Sequence, residues 1–297
     1  MHWEFQKKTL LKCLKKGEND MLEVKNLEKN YKSFSLKKVS FSLEEGCVMG
    51  LIGKNGSGKT TLISCILNLV IKSGGVCTVF QTENNLLTSE QKEDIGVVFD
   101  EIHFPEKLKV KEVGLFCRFS YKNWDKEKFN KFLIDYDLNL NKKIYELSKG
   151  MKMKLQLAVA FSHNPKLLIL DEATSGLDPI VRDELLDYIF EFVRDGKHSV
   201  LISSHILSDI EKVADVVTYI DDGKILISDY KDNLIEKYCI IKGGDSILNN
   251  IAKSDILGVK HGEYGIEACV LKDSVKNMNY DKVTLEDIMI FSDRKDS

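Results

Sequence analysis

Eight residues between two apolar stretches carry the densest chemical signal in this chain. Gly53-Lys54-Asn55-Gly56-Ser57-Gly58-Lys59-Thr60 fits G-x-x-x-x-G-K-[ST]. The pattern follows the apolar run Cys47 to Ile52 and opens a helical pattern from Thr60 to Val70, with Leu62, Ile63, Ile66 and Leu67 at helical spacing. Glycines let the backbone curl so that its N–H groups converge on an anion, and the helix N-terminus adds partial positive charge. Lys59 can then reach the terminal phosphates of a nucleotide, and the Thr60 hydroxyl can ligate Mg²⁺. Gly53, Asn55, Gly56, Ser57, Gly58, Lys59, Thr60 and Thr61 are the candidate nucleotide-binding residues. The bland alternative is a glycine-rich helix start without nucleotide; the strand–loop–helix context argues against it.

A second apolar run, Leu167 to Leu170, ends in Asp171-Glu172. Asp171 at the C-terminal end of such a strand can hold Mg²⁺ directly or through water. Glu172 then points toward the γ-phosphate and can position and deprotonate an attacking water. Alone, an Asp-Glu pair is a surface loop more often than not; beside a phosphate loop it is candidate catalytic chemistry.

The surrounding residues form an ordered set. Leu147-Ser148-Lys149-Gly150-Met151 opens a helical pattern before the Leu167 strand, Ser175-Gly176-Leu177-Asp178 follows Glu172, and His205 follows the strand Val200 to Ser203. Over roughly residues 21–222 this set resembles the ATP-binding subunit of ABC transporters. The resemblance implies ATP and Mg²⁺ as cofactors. It implies that Tyr31 stacks on adenine, that Ser148 and Gly150 cap the γ-phosphate of ATP held by the opposite subunit, that Asp178 links the two sites, and that His205 contacts the γ-phosphate, with Lys59 and Glu172 as its catalytic companions. A strand-edge tyrosine packing on its neighbours is the alternative for Tyr31, and a satisfied core histidine for His205.

Two stretches, the signature and the end of the Val97 strand, depart from the family pattern. Lys149 and Met151 replace Gly and Gln in the usual L-S-G-G-Q. Asp100, closing Val97-Val98-Phe99-Asp100, stands where the family carries a Gln that touches Mg²⁺ and couples the site to the membrane subunit. A carboxylate can still ligate Mg²⁺, which makes Asp100 a candidate metal ligand with Thr60 and Asp171. Its charge beside Glu172 places metal affinity, turnover and coupling in question.

The family resemblance implies a head-to-tail dimer with two ATPs between nucleotide-binding subunits, pairing two copies or two different chains. It also implies separate transmembrane permease subunits. The expected docking surface is the charged, aromatic helical layer 101–146, with Phe104, Phe116, Phe119, Tyr121, Trp124 and Phe129; the alternative is that these aromatics are that layer's core. The stretch after Gly223, including Thr284-Leu285-Glu286-Asp287-Ile288, resembles more weakly the tail of export-type, bacitracin-resistance-like subunits. That similarity implies export of a drug, peptide or lipid.

The elements that must position these residues alternate strand and helix, which points to an α/β fold. The expected architecture is a P-loop NTPase core with a mostly parallel sheet, an antiparallel β-subdomain, an inserted helical subdomain and a small C-terminal α+β domain. The expected boundaries are a basic extension over 1–20, a cassette over 21–222 with its helical subdomain at 101–154, and an accessory domain over 223–297.

Composition narrows the function classes. The 297 residues are 43% hydrophobic and 30% charged, with a formal charge of −3. That balance excludes a mostly disordered chain and a bulk basic nucleic-acid binder; no nucleic-acid partner is expected. Seven cysteines without a C-x-x-C pair read as free thiols in a reducing compartment. No apolar run approaches the roughly 20 residues needed to span a bilayer, and lysines interrupt any signal-peptide core in residues 1–20. The expected location is therefore cytoplasmic, peripheral on the inner face of the membrane. The competing class is a soluble cassette ATPase acting on ribosomes or in DNA repair. Such translation factors carry two cassettes, and the repair types insert long coiled coils between phosphate loop and signature; here 89 residues separate Lys59 from Ser148 without sustained heptads. A decayed, non-hydrolysing regulator is a third reading, opposed by Glu172 and His205.

Overall fold

The computed structural model describes residues 20–262, 265–275 and 278–293. The expected extension over 1–20 lies outside the described residues except for Asp20.

Six strands form the central sheet: β3 (Val48–Ile52), β6 (Ile95–Val98), β7 (Leu167–Asp171), β8 (Ser199–Ser204), β9 (Val216–Asp221) and β10 (Lys224–Tyr230), in the order β10-β9-β3-β8-β7-β6. All neighbours are parallel except the edge pair β9–β10. Every residue of β3, β7 and β8 is buried, as expected of parallel strands covered on both faces. Alternation sorts their side chains: Val48, Ile52, Leu168, Leu170, Val200 and Ile202 face one core, while Met49, Leu51, Leu167, Ile169 and Leu201 face the other. The register sets Ile52 beside Ser204 and Asp171 beside Ser203. The C-terminal ends of β3, β7 and β8 therefore meet at one edge, where ligands bind open α/β sheets.

On one face lies an antiparallel sheet in the order β2-β1-β4-β5, from β1 (Asp20–Asn30), β2 (Ser35–Glu44), β4 (Gly74–Val79) and β5 (Thr82–Glu83). Between the two sheets runs α1 (Lys59–Ile66), with Leu62, Ile63 and Ile66 buried. It ends before the expected Val70, because Asn68 adopts φ +54° and the backbone closes through Asn68 N to Cys65 O and Leu69 N to Ser64 O. A left-handed residue terminates a helix, and Leu69 is left exposed.

After the short α2 (Ser89–Glu93), the other face carries α3 (Val110–Ser120), α4 (Lys126–Asp135) and α5 (Lys149–Ser162), and beyond β7 the long α6 (Pro179–Val193). The aromatics of this helical layer divide. Phe129 is buried, and Phe104, Tyr121 and Trp124 pack against the same core. Phe116 and Phe119 are exposed, as is Leu115 beside them on α3.

The C-terminal region holds α7 (Leu207–Val213), α8 (Lys231–Lys237), a sheet ordered β12-β13-β11-β14 and the last helix, α9 (Leu285–Ser292). The sheet's strands are β11 (Tyr238–Gly243), β12 (Ile256–Gly262), β13 (Gly265–Leu271) and β14 (Asp281–Lys282). The boundary expected at 222/223 falls in the turn of the β9–β10 hairpin. Because β10 is hydrogen-bonded along β9, it completes the central sheet, and the accessory unit starts at Lys231. That unit is not separate in its packing: Leu285, Ile288 and Phe291 of α9 join the core that contains Val48, Ile52, Val217 and Tyr219. The six cysteines within the described residues are buried, and no disulfide joins any of them. Among the described residues, no helix is long and apolar enough to cross a membrane.

Candidate functional site

The phosphate loop leaves β3 at Gly53 and enters α1 at Lys59. Gly56 and Gly58 adopt φ +82° and +112°, a region in which side chains are strained. Two glycines are also fixed by close approach. A Cβ on Gly53 would stand 2.3 Å from the Ile220 carbonyl oxygen, and one on Gly58 would stand 2.6 Å from Phe34 Cζ. Within the loop, the buried Lys59 donates from Nζ to the carbonyls of Gly53 (2.7 Å) and Lys54 (3.2 Å). The Ser57 hydroxyl is buried with no hydrogen-bond partner.

Asp171 and Glu172 end β7 beside this loop. Asp171 is buried; Ser203 Oγ donates to its Oδ1 at 2.6 Å, and the Thr60 hydroxyl also hydrogen-bonds it. Burial raises the Asp171 carboxyl above the ordinary range, against the lowering effect of those two hydroxyls and of Lys59. Glu172 adopts φ +53°, uncommon for a residue with a side chain and a mark of functional constraint. Its amide is held by Ser203 Oγ (3.0 Å) and Ser203 O (3.2 Å). The twist aims its carboxylate between Lys59 and His205: Oε1 lies 3.1 Å from Lys59 Nζ and Oε2 lies 2.7 Å from His205 Nδ1. A carboxylate partner assigns the imidazole proton to Nδ1 and leaves Nε2 free. Sequence reasoning missed Ser203, which ties Asp171 to Glu172; the Ser-Ser-His run contained it without marking which serine matters.

Ser148 and Asp178 are helix N-caps. Ser148 Oγ accepts from Met151 N at 3.2 Å and opens α5; Asp178 Oδ1 accepts from Val181 N at 3.1 Å and opens α6. Their loops touch, because a Cβ on Gly150 would stand 3.4 Å from the Gly176 carbonyl oxygen. Tyr31 lies beyond β1 at the turn into β2, half exposed, with Lys29 Nζ 4.8 Å from its ring centre. Asn55 and Thr60 are exposed at the loop and the start of α1.

Asp100 is engaged elsewhere than expected. Its Oδ1 pairs with Lys149 Nζ at 2.6 Å, and the Lys149 stem lies over Gly176. Gln156, two turns further along α5, brackets the adjacent residue: Phe99 N donates to its Oε1 (3.3 Å), and its Nε2 donates to Phe99 O (3.0 Å). The structure thus ties Asp100 to the signature helix, while Thr60 and Asp171 pair with each other.

Mg²⁺ takes hard oxygen ligands and commonly binds through one or two carboxylates plus substrate phosphates. The Thr60 hydroxyl beside the Asp171 carboxylate fits that requirement.

Fold and site together define a phosphate-loop ATPase. Residues 36–175 match the family described as ABC transporter. The chain is 30% identical over 225 residues to the ABC transporter ATP-binding protein YtrB of Bacillus subtilis, covering 75% of this chain and 76% of that protein. It is 35% identical over 227 residues to the lantibiotic transport ATP-binding protein SrtF of Streptococcus pyogenes, covering 73% and 96%. The ATP-binding cassette MJ0796, solved as a dimer in a post-hydrolysis state with ADP and Pi, superposes with a TM-score of 0.62 at 25% identity, covering 71% of this chain and 98% of that one. The chain belongs to the ATP-binding subunits of ABC transporters. It binds and hydrolyses ATP as such a subunit, and proteins of this family work as dimers with membrane permease partners.

Proposed function

We propose that this chain is the motor subunit of an exporter for a drug, peptide or lipid. The observation that carries its mechanism is the Glu172 carboxylate held between Lys59 and His205. The γ-phosphate of ATP enters between these groups, drawing Lys59 to its oxygens and accepting a hydrogen bond from His205. Glu172, released from both, takes a proton from water as the water oxygen bonds to the γ-phosphorus. The bond to the bridging oxygen breaks, its electron pair leaving with ADP. Thr60 and Asp171 would hold Mg²⁺, which when bound would neutralise phosphate charge. The loop amides from Gly53 to Thr61 cradle the phosphates, and Tyr31 stacks on adenine.

Ser148 and Gly150 contact ATP held by a second nucleotide-binding subunit arranged head to tail, with Asp178 beside them. ATP is then part of the interface, so binding closes the dimer and hydrolysis opens it. The permease docks on the helical layer, where Leu115, Phe116 and Phe119 present an apolar face on α3. The subunit thereby sits peripherally on the cytoplasmic face of the membrane. Export is supported by the lantibiotic transport assigned to SrtF. The test is co-purification: tagged Glu172→Gln chain, trapped with ATP and extracted in mild detergent, should bring down a stoichiometric multi-span protein. Ribosomes or repair proteins in its place would contradict the transport reading.

A further inference from the structure

The last helix ends on the phosphate loop. Asp293 caps the C-terminus of α9, where the helix dipole disfavours a carboxylate. Its partners lie outside the helix: Oδ2 is 2.5 Å from Lys54 Nζ, and the Tyr219 hydroxyl donates to Oδ1. Lys54 is the second residue of the phosphate loop. Its main-chain carbonyl accepts from Lys59 Nζ at 3.2 Å and from Ser57 N at 3.1 Å. Tyr219 is buried on β9 opposite Ile52, the residue before the loop. Asp293 therefore grips the loop by its side chain at the residue whose backbone holds the phosphate-binding lysine.

The grip is anchored from behind. Leu285, Ile288 and Phe291 bury α9 in the main core. Phe291 O approaches β12 so closely that a Cβ on Gly258 would stand 2.0 Å away. α9 thus joins the accessory sheet to Lys54 through continuous contacts. The charge matters as well: in the paired state the Lys54 ammonium is neutralised and contributes little field to incoming phosphates. The hydrogen bond that Lys54 donates to the Asp293 carboxylate raises the Lys54 pKa, consistent with a cation held in place.

We propose that Asp293 is a positioning residue of the nucleotide site, restraining Lys54 and lowering the affinity of the phosphate loop for polyphosphate anions. This rests on the phosphate-loop reading above. The test measures equilibrium dissociation constants of the full chain for ATP and for adenosine, which lacks phosphates. Asp293→Asn should tighten ATP about threefold and leave adenosine unchanged, the size expected from removing one solvent-screened charge. Asp293→Glu should restore the parental ATP affinity. Lys54→Met, which leaves the Tyr219 hydroxyl bonded to Asp293, should change ATP affinity less than Asp293→Asn does, and Asp293→Asn/Lys54→Met should lack the roughly threefold tightening. An unchanged ATP constant in Asp293→Asn overturns the proposal. So does an equal shift for adenosine, or an Asp293→Asn effect that persists without Lys54. A parental chain that binds no ATP would instead overturn the phosphate-loop reading itself.

Discussion

The Lys149 ammonium lies 2.6 Å from the Asp100 carboxylate, so two of the residues that depart from the family pattern compensate each other. A Lys in the signature meets an Asp at the end of β6, and the ion pair stands where Gln156 already clamps Phe99 to the same helix. The added negative charge of Asp100 is balanced by a cation from α5. Both side chains are about half exposed, so water and salt limit the strength of the pair.

A double-mutant cycle reads that coupling. Asp100→Gln and Lys149→Met, alone and together, should show an interaction of about 0.2–1 kcal/mol in stability, falling with added salt. Asp100→Gln should still hydrolyse ATP. A dead Asp100→Gln variant would restore Asp100 as an essential metal ligand and contradict the pairing account.

Asp171 carries a different expectation. Burial raises its pKa in the folded chain above the unfolded value. The ionised group is therefore a folding penalty that grows as pH rises from the unfolded value through the folded one. Asp171→Asn should raise the melting temperature of the nucleotide-free protein, by about 2–4 °C for each kcal/mol relieved, while reducing ATP hydrolysis at least about 100-fold by analogy with loss of a charge-stabilising group. A variant that melts lower and hydrolyses normally would contradict both the burial argument and the metal-ligand role.

His163 makes acid lability local. It is buried, stacked 4.1 Å from Tyr121, with Nδ1 3.1 Å from Glu93 O. Burial lowers its pKa from 6.5 to about 4. A folded pKa below the unfolded one stabilises the fold above pH 6.5, and that stability is lost as pH falls toward 4. The full loss is about 3 kcal/mol, at 1.36 kcal/mol for each unit. Denaturant midpoints of parent and His163→Gln, taken between pH 7 and 4, should converge as pH falls. Parallel curves would contradict a neutral buried imidazole.

Much of the site was legible because its determinants are local. The phosphate loop needs eight consecutive residues, the Asp171-Glu172 pair two at a strand end, and the helix starts at Ser148 and Asp178 one cap each. The alternation that buries β3, β7 and β8 is likewise short-range. What stayed hidden is the pairing of residues far apart in the chain. Asp100 and Lys149 were each visible as departures, yet nothing in spacing says that they meet. Asp293 and Lys54 lie at opposite ends of the described chain and carry no shared pattern. The early end of α1 was missed because Leu67 and Val70 continue the apolar period past a turn that Asn68 closes. The expected 222/223 boundary falls in the turn of the β9–β10 hairpin, and spacing alone does not show that β10 pairs along β9.

Glu172→Gln tests most directly the proposal that Glu172, held between Lys59 and His205, is the base that activates water. The amide keeps the shape of the side chain and loses its proton affinity. The variant should bind ATP with near-parental affinity, turn over at least about 100-fold more slowly, and accumulate as an ATP-bound dimer visible by sedimentation. Hydrolysis at the parental rate, with no trapped dimer, would show that Glu172 is not the base.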